Sequence, residues 1–398
     1  MSDAPARSLL RNRNAHEHGR VTMVELFFDL VFVFAVTQLS HTLLDHLSLT
    51  GALQTLLLFL AVWWVWIYTS WCTNWLDPDT APVRLLLFAL MLGGLLLSSS
   101  LPEAFGERGL MFAAAYATMQ VGRTLFMVVV LRGVHPGLFR NFLRIAVWLM
   151  VSGTLWIAGG LAEGQVRFGW WVGALLIEFF GPIAFYWVPG LGRSSIGDWD
   201  VDGGHLAERC ALFVIIALGE SILVTGATFA GLPLDASHGA AFVSAFVGSV
   251  AMWWLYFDSG AERASHRIAH AADPGRQARM AYTYLHLPIV AGIIVCAVAD
   301  EIVLMHPGHA DTAGIAAIVG GPALYLLGNA LFKWTTNDRR GPPLSHLAGL
   351  TLLLALSLAA KPAHLSALAL GIATTAVLAL VALWETLALK RAAAAPAR

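Results

Sequence analysis

Charged residues are scarce in this sequence, which has 24 Lys and Arg and 25 Asp and Glu among its 398 residues. Soluble domains carry roughly twice this charged fraction, so the composition argues against a water-soluble fold. The net charge of −1 gives no basis for a nucleic-acid partner. The three cysteines, Cys72, Cys210 and Cys296, lack metal-type spacing. We expect them to be buried free thiols without disulfides.

Motifs for nucleotide, hydrolase or zinc chemistry are also missing. The sequence has no Walker loop, dinucleotide fingerprint, Gly-x-Ser-x-Gly elbow or zinc signature. We therefore expect no cofactor, no metal and no ATP-driven transport by this chain alone. The arginines near the N-terminus are not followed by a short apolar segment with a cleavage site. Residues 1–23 are accordingly predicted to be a retained cytoplasmic tail.

Long apolar stretches dominate the rest of the chain, in which hydrophobic residues make up 58%. A helix of roughly 20 apolar residues crosses a hydrocarbon core of about 30 Å. Continuous apolar runs favour helices over the alternating strands of a membrane barrel. The sequence predicts an all-α polytopic protein in a lipid bilayer, with about twelve spans, the eleventh of them short. These spans are 24–45, 52–72, 83–101, 110–132, 142–161, 168–188, 205–230, 239–258, 280–304, 312–334, 345–360 and 364–390.

The distribution of basic residues predicts the orientation, because cytoplasmic loops are enriched in Lys and Arg. With the N-terminus inside, 20 of the 24 basic residues fall on the cytoplasmic side. Arg108, Arg167 and Lys361 fall outside, and Arg123 falls within a span. A missed span would exchange the sides of all later loops, so this bias favours an even span number with both termini in the cytoplasm.

Similar residues recur at about half the chain length. Trp63-Trp64 of the second span corresponds to Trp253-Trp254 of the eighth. Trp63 and Trp253 are 190 residues apart. Glu25 and Glu208 are 183 residues apart, and Glu178 and Glu385 are 207 apart. Two parallel six-helix repeats are therefore predicted, with ligand binding between them as in many transporters. The predicted parts are a tail (1–23), a first half (24–190), a cytoplasmic linker (191–204), a second half (205–390) and a C-terminal tail (391–398).

The leading span carries acidic residues that lipid disfavours, at a cost of ~2.5–3.5 kcal/mol for a charge at the bilayer centre. Glu25 and Asp29 lie one helical turn apart on one face, whereas Gln38, His41 and Asp45 gather on nearly the opposite face. Each of the two carboxylates raises the pKa of the other unless a cation intervenes. Asp29 is a candidate proton or cation site. Glu25 either shares it or extends to the membrane interface.

The seventh span holds the strongest single candidate, Glu220. It lies twelve residues beyond Glu208, about 18 Å deeper along a helix, and follows Gly219. His205, Glu208 and Arg209 are predicted to lie near the membrane surface, as a structural ion cluster or a gate.

Three further polar residues fall within spans. Arg123 needs a carboxylate partner, for which Asp29, Glu178 and Glu220 are the candidates, or it clamps a substrate carboxylate. Glu178 lies late in the sixth span. His286 in the ninth span is either a proton shuttle or a hydrogen-bonded core residue.

Two motifs resemble the bacterial low temperature requirement A (LtrA) protein family. They are ELFFDLVFVFAVTQLSH at 25–41 and AERCALFVIIALGESI at 207–222, and YLHLP at 284–288 fits the same pattern. The resemblance covers most of the chain and implies a multi-pass protein of the bacterial inner membrane, with a name that records a cold-growth phenotype. It implies no substrate. A fainter likeness connects Phe28-Asp29-Leu-Val-Phe32 with a two-repeat lysosomal potassium channel family, although the serine of that family's Phe-Ser-Asp helix is missing.

The leading hypothesis is a proton- or cation-coupled secondary transporter of an unknown small solute. In it Asp29 and Glu220 form the coupling site, Arg123 balances their charge, and His286 and His41 relay protons. A cation channel lined by the leading helix of each half is the first alternative. A membrane stress factor without transport and an intramembrane enzyme are the others, and an enzyme is not expected because no nucleophile or third metal ligand is evident. The sequence leaves open whether the protein forms a homodimer.

Overall fold

Twelve α-helices make up the described part of the chain. The computed structural model describes residues 8–11, 20–195, 201–258, 277–336 and 341–394. The helices are α1 (Met23–Asp45), α2 (Leu49–Trp75), α3 (Ala81–Ser100), α4 (Gly109–Leu131), α5 (Pro136–Leu161), α6 (Gly164–Ile183), α7 (Gly203–Ala230), α8 (Ala236–Phe257), α9 (His286–Met305), α10 (Thr312–Thr336), α11 (Leu344–Ala360) and α12 (Ala367–Ala394). A short 3₁₀ turn follows α3, and a π-helix, Arg279–Tyr284, precedes α9.

The predicted all-α membrane class is confirmed. Within the described ranges, eleven helices are long and apolar enough to cross a membrane. The remaining helix, α11, has 17 residues and is the span predicted to be short. Every predicted span has a helix, and the largest differences are six residues: α9 begins at His286 and not at 280, where the π-helix comes first, and α5 begins at Pro136 and not at 142. The proline explains the early start, because its fixed φ and missing N–H suit the first helical position. The repeat and the orientation stay predictions.

The chain divides into two compact units. Unit 1 comprises Met1–Thr42 and Thr50–Arg209, and unit 2 comprises Leu43–Leu49 and Cys210–Arg398. The division falls inside α7, so the first two turns of this helix belong to unit 1. His205, Glu208 and Arg209 are therefore part of unit 1, whereas Glu220 is part of unit 2.

Unit 1 packs α3 against α4, α4 against α5, and α5 against α6. One of its apolar clusters joins the end of α2 to α4 and α5, where Trp75 packs edge-on against Phe142 at 5.7 Å between ring centroids. Residues 8–11 also attach to this end of α2. Arg11 N donates to Trp75 O at 2.8 Å, and Asp77 N donates to Leu9 O at 2.8 Å. Part of the predicted N-terminal tail is thus bound to the helical body.

Unit 2 is built on close contact between α9 and α10. A β-carbon added at Gly292 would lie 2.5 Å from the backbone N of Tyr325, and one at Gly328 would lie 2.7 Å from the backbone N of Ile289. Only glycine permits this approach, and small residues at helix contacts are a common device of membrane proteins. Cys296, beside Gly321, is a buried thiol, as are Cys72 and Cys210, in agreement with the prediction.

Many of the basic residues behind the predicted orientation lie outside the described residues. They are Arg7, Arg13, Arg263, Arg267, Arg276, Arg339, Arg340 and Arg398, and 196–200 of the predicted linker also lie outside. Lys333, one of the 20 basic residues counted on the cytoplasmic side, lies within α10 and is 1% exposed.

The start of α8 provides a pH-dependent stability prediction. The backbone N–H groups of His238 and Ser237 both donate to Asp235 Oδ1 at 2.9 Å. The bond from His238 in particular lowers the pKa of Asp235 below its ordinary value of 3.8. Because the folded-state pKa is depressed, this stabilisation is present above the unfolded-state pKa and disappears as the pH falls through the folded-state pKa.

We therefore expect Asp235→Ala to lower the melting temperature at neutral pH, and the difference from wild type to shrink in strong acid to that between Asp235→Ala and Asp235→Asn. Thermal unfolding in detergent across a pH series measures this. Asp235→Asn is the control, since its side-chain oxygen still caps the helix. A deficit in Asp235→Ala that stays constant from neutral to acidic pH would contradict the prediction.

Candidate functional site

A buried ion pair joins the leading helix α1 to the first turns of α7. Arg209 Nη2 donates to Asp29 Oδ1 at 2.8 Å, and both side chains are essentially inaccessible, at 1% and 0% exposure. Both residues belong to unit 1. Asp29 lies six residues after Met23, where α1 begins, and Arg209 lies six residues after Gly203, where α7 begins. The two side chains are therefore equally far from the starts of their helices. The pair is therefore inside membrane-spanning segments.

Helix α2 completes the surroundings of this pair. Trp66 Nε1 donates to Asp29 Oδ1 at 2.8 Å, and the Arg209 guanidinium lies 3.2 Å from Ser70 Oγ. The guanidinium also lies 5.9 Å from the ring centroid of Phe28 and 5.7 Å from that of Trp66, within cation–π range. Asp29 Oδ2 and Arg209 Nη1 are buried without a hydrogen-bond partner in the described part of the chain. The pair thus keeps one open acceptor and one open donor.

A second ionic group lies one helical turn from the first. Glu25 is 0% exposed and accepts from Arg11 Nη2 at 2.8 Å and from the backbone N of Thr22 at 2.8 Å. Its other oxygen, Oε1, lies 2.8 Å from His205 Nε2. This burial beside Arg11 and His205 favours a site shared with Asp29 over a side chain extended into the membrane interface. Arg11 and Arg209 supply the cations that separate the charges of Glu25 and Asp29.

The partners of His205 indicate its tautomer. Nδ1 lies 3.3 Å from the amide nitrogen of Asn74, which can only donate, so Nδ1 acts as acceptor. Nε2 then carries the proton and donates to Glu25 at 2.8 Å, although Arg11 Nη2 also lies 3.3 Å from this nitrogen. Asn74 is held in turn by the backbone of Asp202, with bonds of 2.8 and 3.0 Å. The neutral imidazole thus links α7 to α1.

The three residues of the predicted ion cluster on α7 differ in their exposure. Glu208 is exposed and accepts from the backbone N of Val21 at 3.1 Å. His205 and Arg209, by contrast, are 1% and 0% exposed. His205 and Arg209 are four residues apart and share the face of α7 that meets the carboxylates of α1, whereas Glu208 points about 100° away from Arg209. Arg209 is therefore the charge partner of Asp29, the role that the sequence assigned to Arg123.

Arg123 contacts neutral acceptors instead of a carboxylate. Its guanidinium donates to Val65 O at 3.2 Å, to Thr69 Oγ1 at 3.0 Å and to Gln120 Oε1 at 2.5 Å. Within the described residues Arg123 thus has no ion pair with Asp29, Glu178 or Glu220, and the alternative of a clamp on a substrate carboxylate stays a prediction. Gln120 explains why, since its amide connects Arg123 to Glu178 through a 3.4 Å contact.

Glu178 itself is 3% exposed and accepts several hydrogen bonds from α4 and α5. Tyr116 and Ser152 donate to it through short bonds, and Trp156 Nε1 donates at 3.0 Å. Its position late in the sixth span is as predicted. This carboxylate is held by neutral donors within unit 1.

In unit 2, Glu220 and His286 are both buried, at 4% and 0% exposure. Tyr256 OH lies 2.7 Å from His286 Nε2, and His286 Nδ1 lies 2.8 Å from Ala281 O. Nδ1 therefore carries a proton, and Nε2 accepts from the tyrosine. Ala281 belongs to the π-helix, a rare element that is frequent at functional sites. His41, on α1, is exposed.

Sequence reasoning missed a buried ion pair in unit 2. Lys333 Nζ donates to Glu385 Oε2 at 2.6 Å and to Leu255 O at 2.7 Å, and His346 Nε2 lies 4.0 Å from the same carboxylate. Tyr325 follows Tyr116 by 209 residues, and Asn329 follows Gln120 by the same number. This is close to the 207 residues between Glu178 and Glu385. In each unit, one helix thus presents a Tyr, an amide and a cation in the same order, and another presents a glutamate. This common spacing is the sequence signal from which the Lys333–Glu385 pair could have been predicted.

A comparison with protein families matches residues 20–383 to the bacterial low temperature requirement A protein (LtrA). This chain belongs to the LtrA family. It is also similar to a protein of Rhizobium meliloti (strain 1021) named "Uncharacterized protein RA0937". The two are 45% identical over 383 residues, which cover 96% of this chain and 92% of the relative. No solved structure matches the chain.

The two LtrA motifs in the sequence meet in the structure. The motif at 25–41 supplies Asp29, and the motif at 207–222 supplies Arg209, so the ion pair joins one to the other. Glu25 belongs to the first motif, whereas its partners Arg11 and His205 precede the two motifs. Among the described residues of this LtrA protein, no three His, Cys, Asp or Glu side chains come together as a metal site would require.

Proposed function

We propose that this LtrA-family chain is a proton- or cation-coupled secondary transporter of the bacterial inner membrane. The observation that carries the proposal is the Asp29–Arg209 pair, which is buried within membrane-spanning helices and retains an unpartnered Oδ2 and Nη1. Ionisable residues in such helices are costly, and they typically mark ion or substrate pathways. A buried pair is also weak evidence for a purely stabilising role, because desolvation offsets much of its attraction.

The surroundings of Asp29 favour a proton over a metal cation. A metal cation at this carboxylate would lie beside the Arg209 guanidinium and be repelled by it. A proton bound at the open Oδ2 would remove the charge of Asp29 and weaken its hold on Arg209. The released guanidinium could then bind an anionic group of the solute through Nη1 and Nη2. Protonation and solute binding would thus be coupled through one side chain.

The remaining candidates take subsidiary roles in this proposal. Glu220 is the ion-binding carboxylate of unit 2, where it is buried within a membrane-spanning helix. His286, hydrogen-bonded to Tyr256, is a proton relay, and the exposed His41 is a proton donor or acceptor at an end of α1. Glu25, with Arg11 and His205, holds α1 and α7 in register beside Asp29.

Charge movement in proteoliposomes under imposed proton, sodium and potassium gradients tests the proposal. We expect wild type to respond to the proton gradient, and Asp29→Asn and Glu220→Gln to lose at least about 90% of the response, because neither amide can bind a proton in its place. Asp79→Asn is the matched control, since Asp79 is more than half exposed, in a loop of unit 1.

The form of the response separates a carrier from a channel. Saturable flux with a fixed stoichiometry supports the transporter. A current that is nearly linear in voltage would favour the cation channel instead. If folded Asp29→Asn and Glu220→Gln both move charge at the wild-type rate, these carboxylates are not the coupling site.

A further inference from the structure

The guanidinium of Arg11 lies where the ends of three helices meet. Its Nε donates to Thr73 O at 2.8 Å and to Leu76 O at 3.1 Å, at the end of α2. Its Nη2 donates to Glu25 of α1 at 2.8 Å and lies 3.3 Å from His205 Nε2 of α7. All of these residues belong to unit 1. One side chain of the N-terminal stretch thus connects the three helices that surround the buried ion pair.

Arg11 lies nearer to the helix ends than the ion pair does. Glu25 is in the first turn of α1, and Asp29 is four residues further on, about 6 Å deeper along the helix. On α7, His205 likewise precedes Arg209 by four residues. The open acceptor Oδ2 and the open donor Nη1 of the pair are both buried. A proton or solute that approaches them from these helix ends therefore meets Arg11 first.

The contact between Arg11 and Glu25 can break without leaving the carboxylate unsatisfied. Glu25 also accepts from the backbone N–H and the hydroxyl of Thr22, at 2.8 and 3.0 Å, and lies 2.8 Å from His205 Nε2. These bonds keep α1 joined to α7 when Arg11 leaves. The Arg11 side chain is 13% exposed, so water can replace its partners, whereas the side chains of the ion pair are at most 1% exposed. Segments with few buried contacts are the ones that open locally.

We propose that residues 8–11 form a gate at this end of unit 1. In the closed state Arg11 covers the Asp29–Arg209 pair. When residues 8–11 detach from the end of α2, water reaches Asp29 Oδ2 and protons exchange there. A carrier needs such a step, because its buried site must be exposed to one side of the membrane at a time. The gate rests on the transport function proposed above, since it controls access to that site.

The rate at which a water-soluble reagent, sulfonatoethyl methanethiosulfonate, labels Ser70→Cys in nanodiscs measures access to the pair. Ser70 is 0% exposed, and its Oγ lies 3.2 Å from Arg209 Nη2. We expect Arg11→Ala to raise the rate about tenfold or more, because the gate then opens more often. Arg20→Ala, at an exposed arginine that follows in the sequence, is the control and should leave the rate unchanged. An equally slow rate in Arg11→Ala would overturn the proposal.

A reversible crosslink distinguishes a gate from a fixed structural contact. Leu10 and Leu76 form an isolated antiparallel bridge, and its two hydrogen bonds lie on either side of this pair. Residues paired in this way have Cα atoms about 4.5 Å apart, which a disulfide can span. Leu10→Cys with Leu76→Cys is made together with Cys72→Ala, which removes the native thiol one turn away. We expect oxidation to slow proton-driven charge movement about tenfold or more and reduction to restore it, whereas a fixed contact predicts no change.

The two measurements separate the gate from the transport function. If neither wild type nor the reduced crosslinking variant moves charge under any gradient, the transport proposal fails, and the labelling rates still decide whether Arg11 closes the approach to the pair. If charge movement is present and oxidation leaves it unchanged, transport stands and the gate is refuted.

Discussion

Replacing Arg209 by glutamine is expected to lower the free energy of unfolding by about 3–5 kcal/mol, because Asp29 would stay buried without its cation. Trp66 would be its remaining donor. Reversible unfolding in mixed micelles, followed by circular dichroism, measures the loss. The effect is large because neither side chain can reach water in the folded state.

The double variant Asp29→Asn with Arg209→Gln is expected to regain most of that stability, since both replacements are neutral and can hydrogen-bond. Arg84→Gln is the surface control. Arg84 lies 3.8 Å from Asp79 with both side chains about half exposed, and such pairs contribute less than about 1 kcal/mol. If the double variant is no more stable than Arg209→Gln alone, the two residues do not act as a pair.

Gly292→Ala is expected to destabilise the protein by about 1–3 kcal/mol, because overpacking a tight contact forces the backbone to shift. The new methyl group would lie 2.5 Å from the backbone N and 2.7 Å from the Cα of Tyr325. These are main-chain atoms, so α9 and α10 would have to separate to make room. Thermal unfolding of the purified variant measures the change.

Gly320→Ala offers a control of the same size in α10, where an added methyl group meets nothing within 4 Å. We expect this variant to be as stable as wild type or slightly more so, since alanine favours a helix over glycine by up to about 1 kcal/mol. Equal losses in both variants would mean that alanine is tolerated no worse at the α9–α10 contact than elsewhere.

The helices were predictable from the sequence because their length and apolar character are imposed by the bilayer. The exact ends of the helices were less predictable, because they depend on local residues. Pro136 starts α5 early, and α6 ends at Ile183, after Pro182, where Phe185 and Tyr186 adopt positive φ values of 52° and 46°. These left-handed residues reverse the chain, and no hydropathy pattern contains that information.

The candidate site was predictable for the carboxylates and not for their partners. Asp29 stands out as an acid in an apolar run, and the structure buries it. Arg209 follows the exposed Glu208 and seemed to share its surroundings, although neighbouring residues on a helix point about 100° apart. Its matching depth with Asp29 was the signal that could have identified it. Arg11 had no signal, because nothing in the sequence distinguishes it from Arg7 or Arg20.

Arg123 shows a different limit of sequence reasoning. A buried arginine was expected to need a carboxylate, but backbone carbonyl, hydroxyl and amide oxygens serve it instead. Such acceptors are available on almost any helix, so their use depends on packing and not on sequence pattern. Lys333 counts as a cytoplasmic residue in the predicted orientation, but α10 continues to Thr336 and buries it against Glu385.

The attachment of Leu9 and Arg11 to the end of α2 bears on how the protein should be handled. Arg11 reaches Glu25 from a strand-like stretch that is held by three backbone and side-chain bonds to Thr73, Trp75 and Leu76. An affinity tag placed before this stretch can displace Arg11, and a protease that removes the stretch also removes Arg11. In either case Glu25 loses a positive charge that balances it. Purification through the carboxyl end leaves that charge in place. Preparations that differ at the amino end should therefore be compared for activity before any other variable is examined.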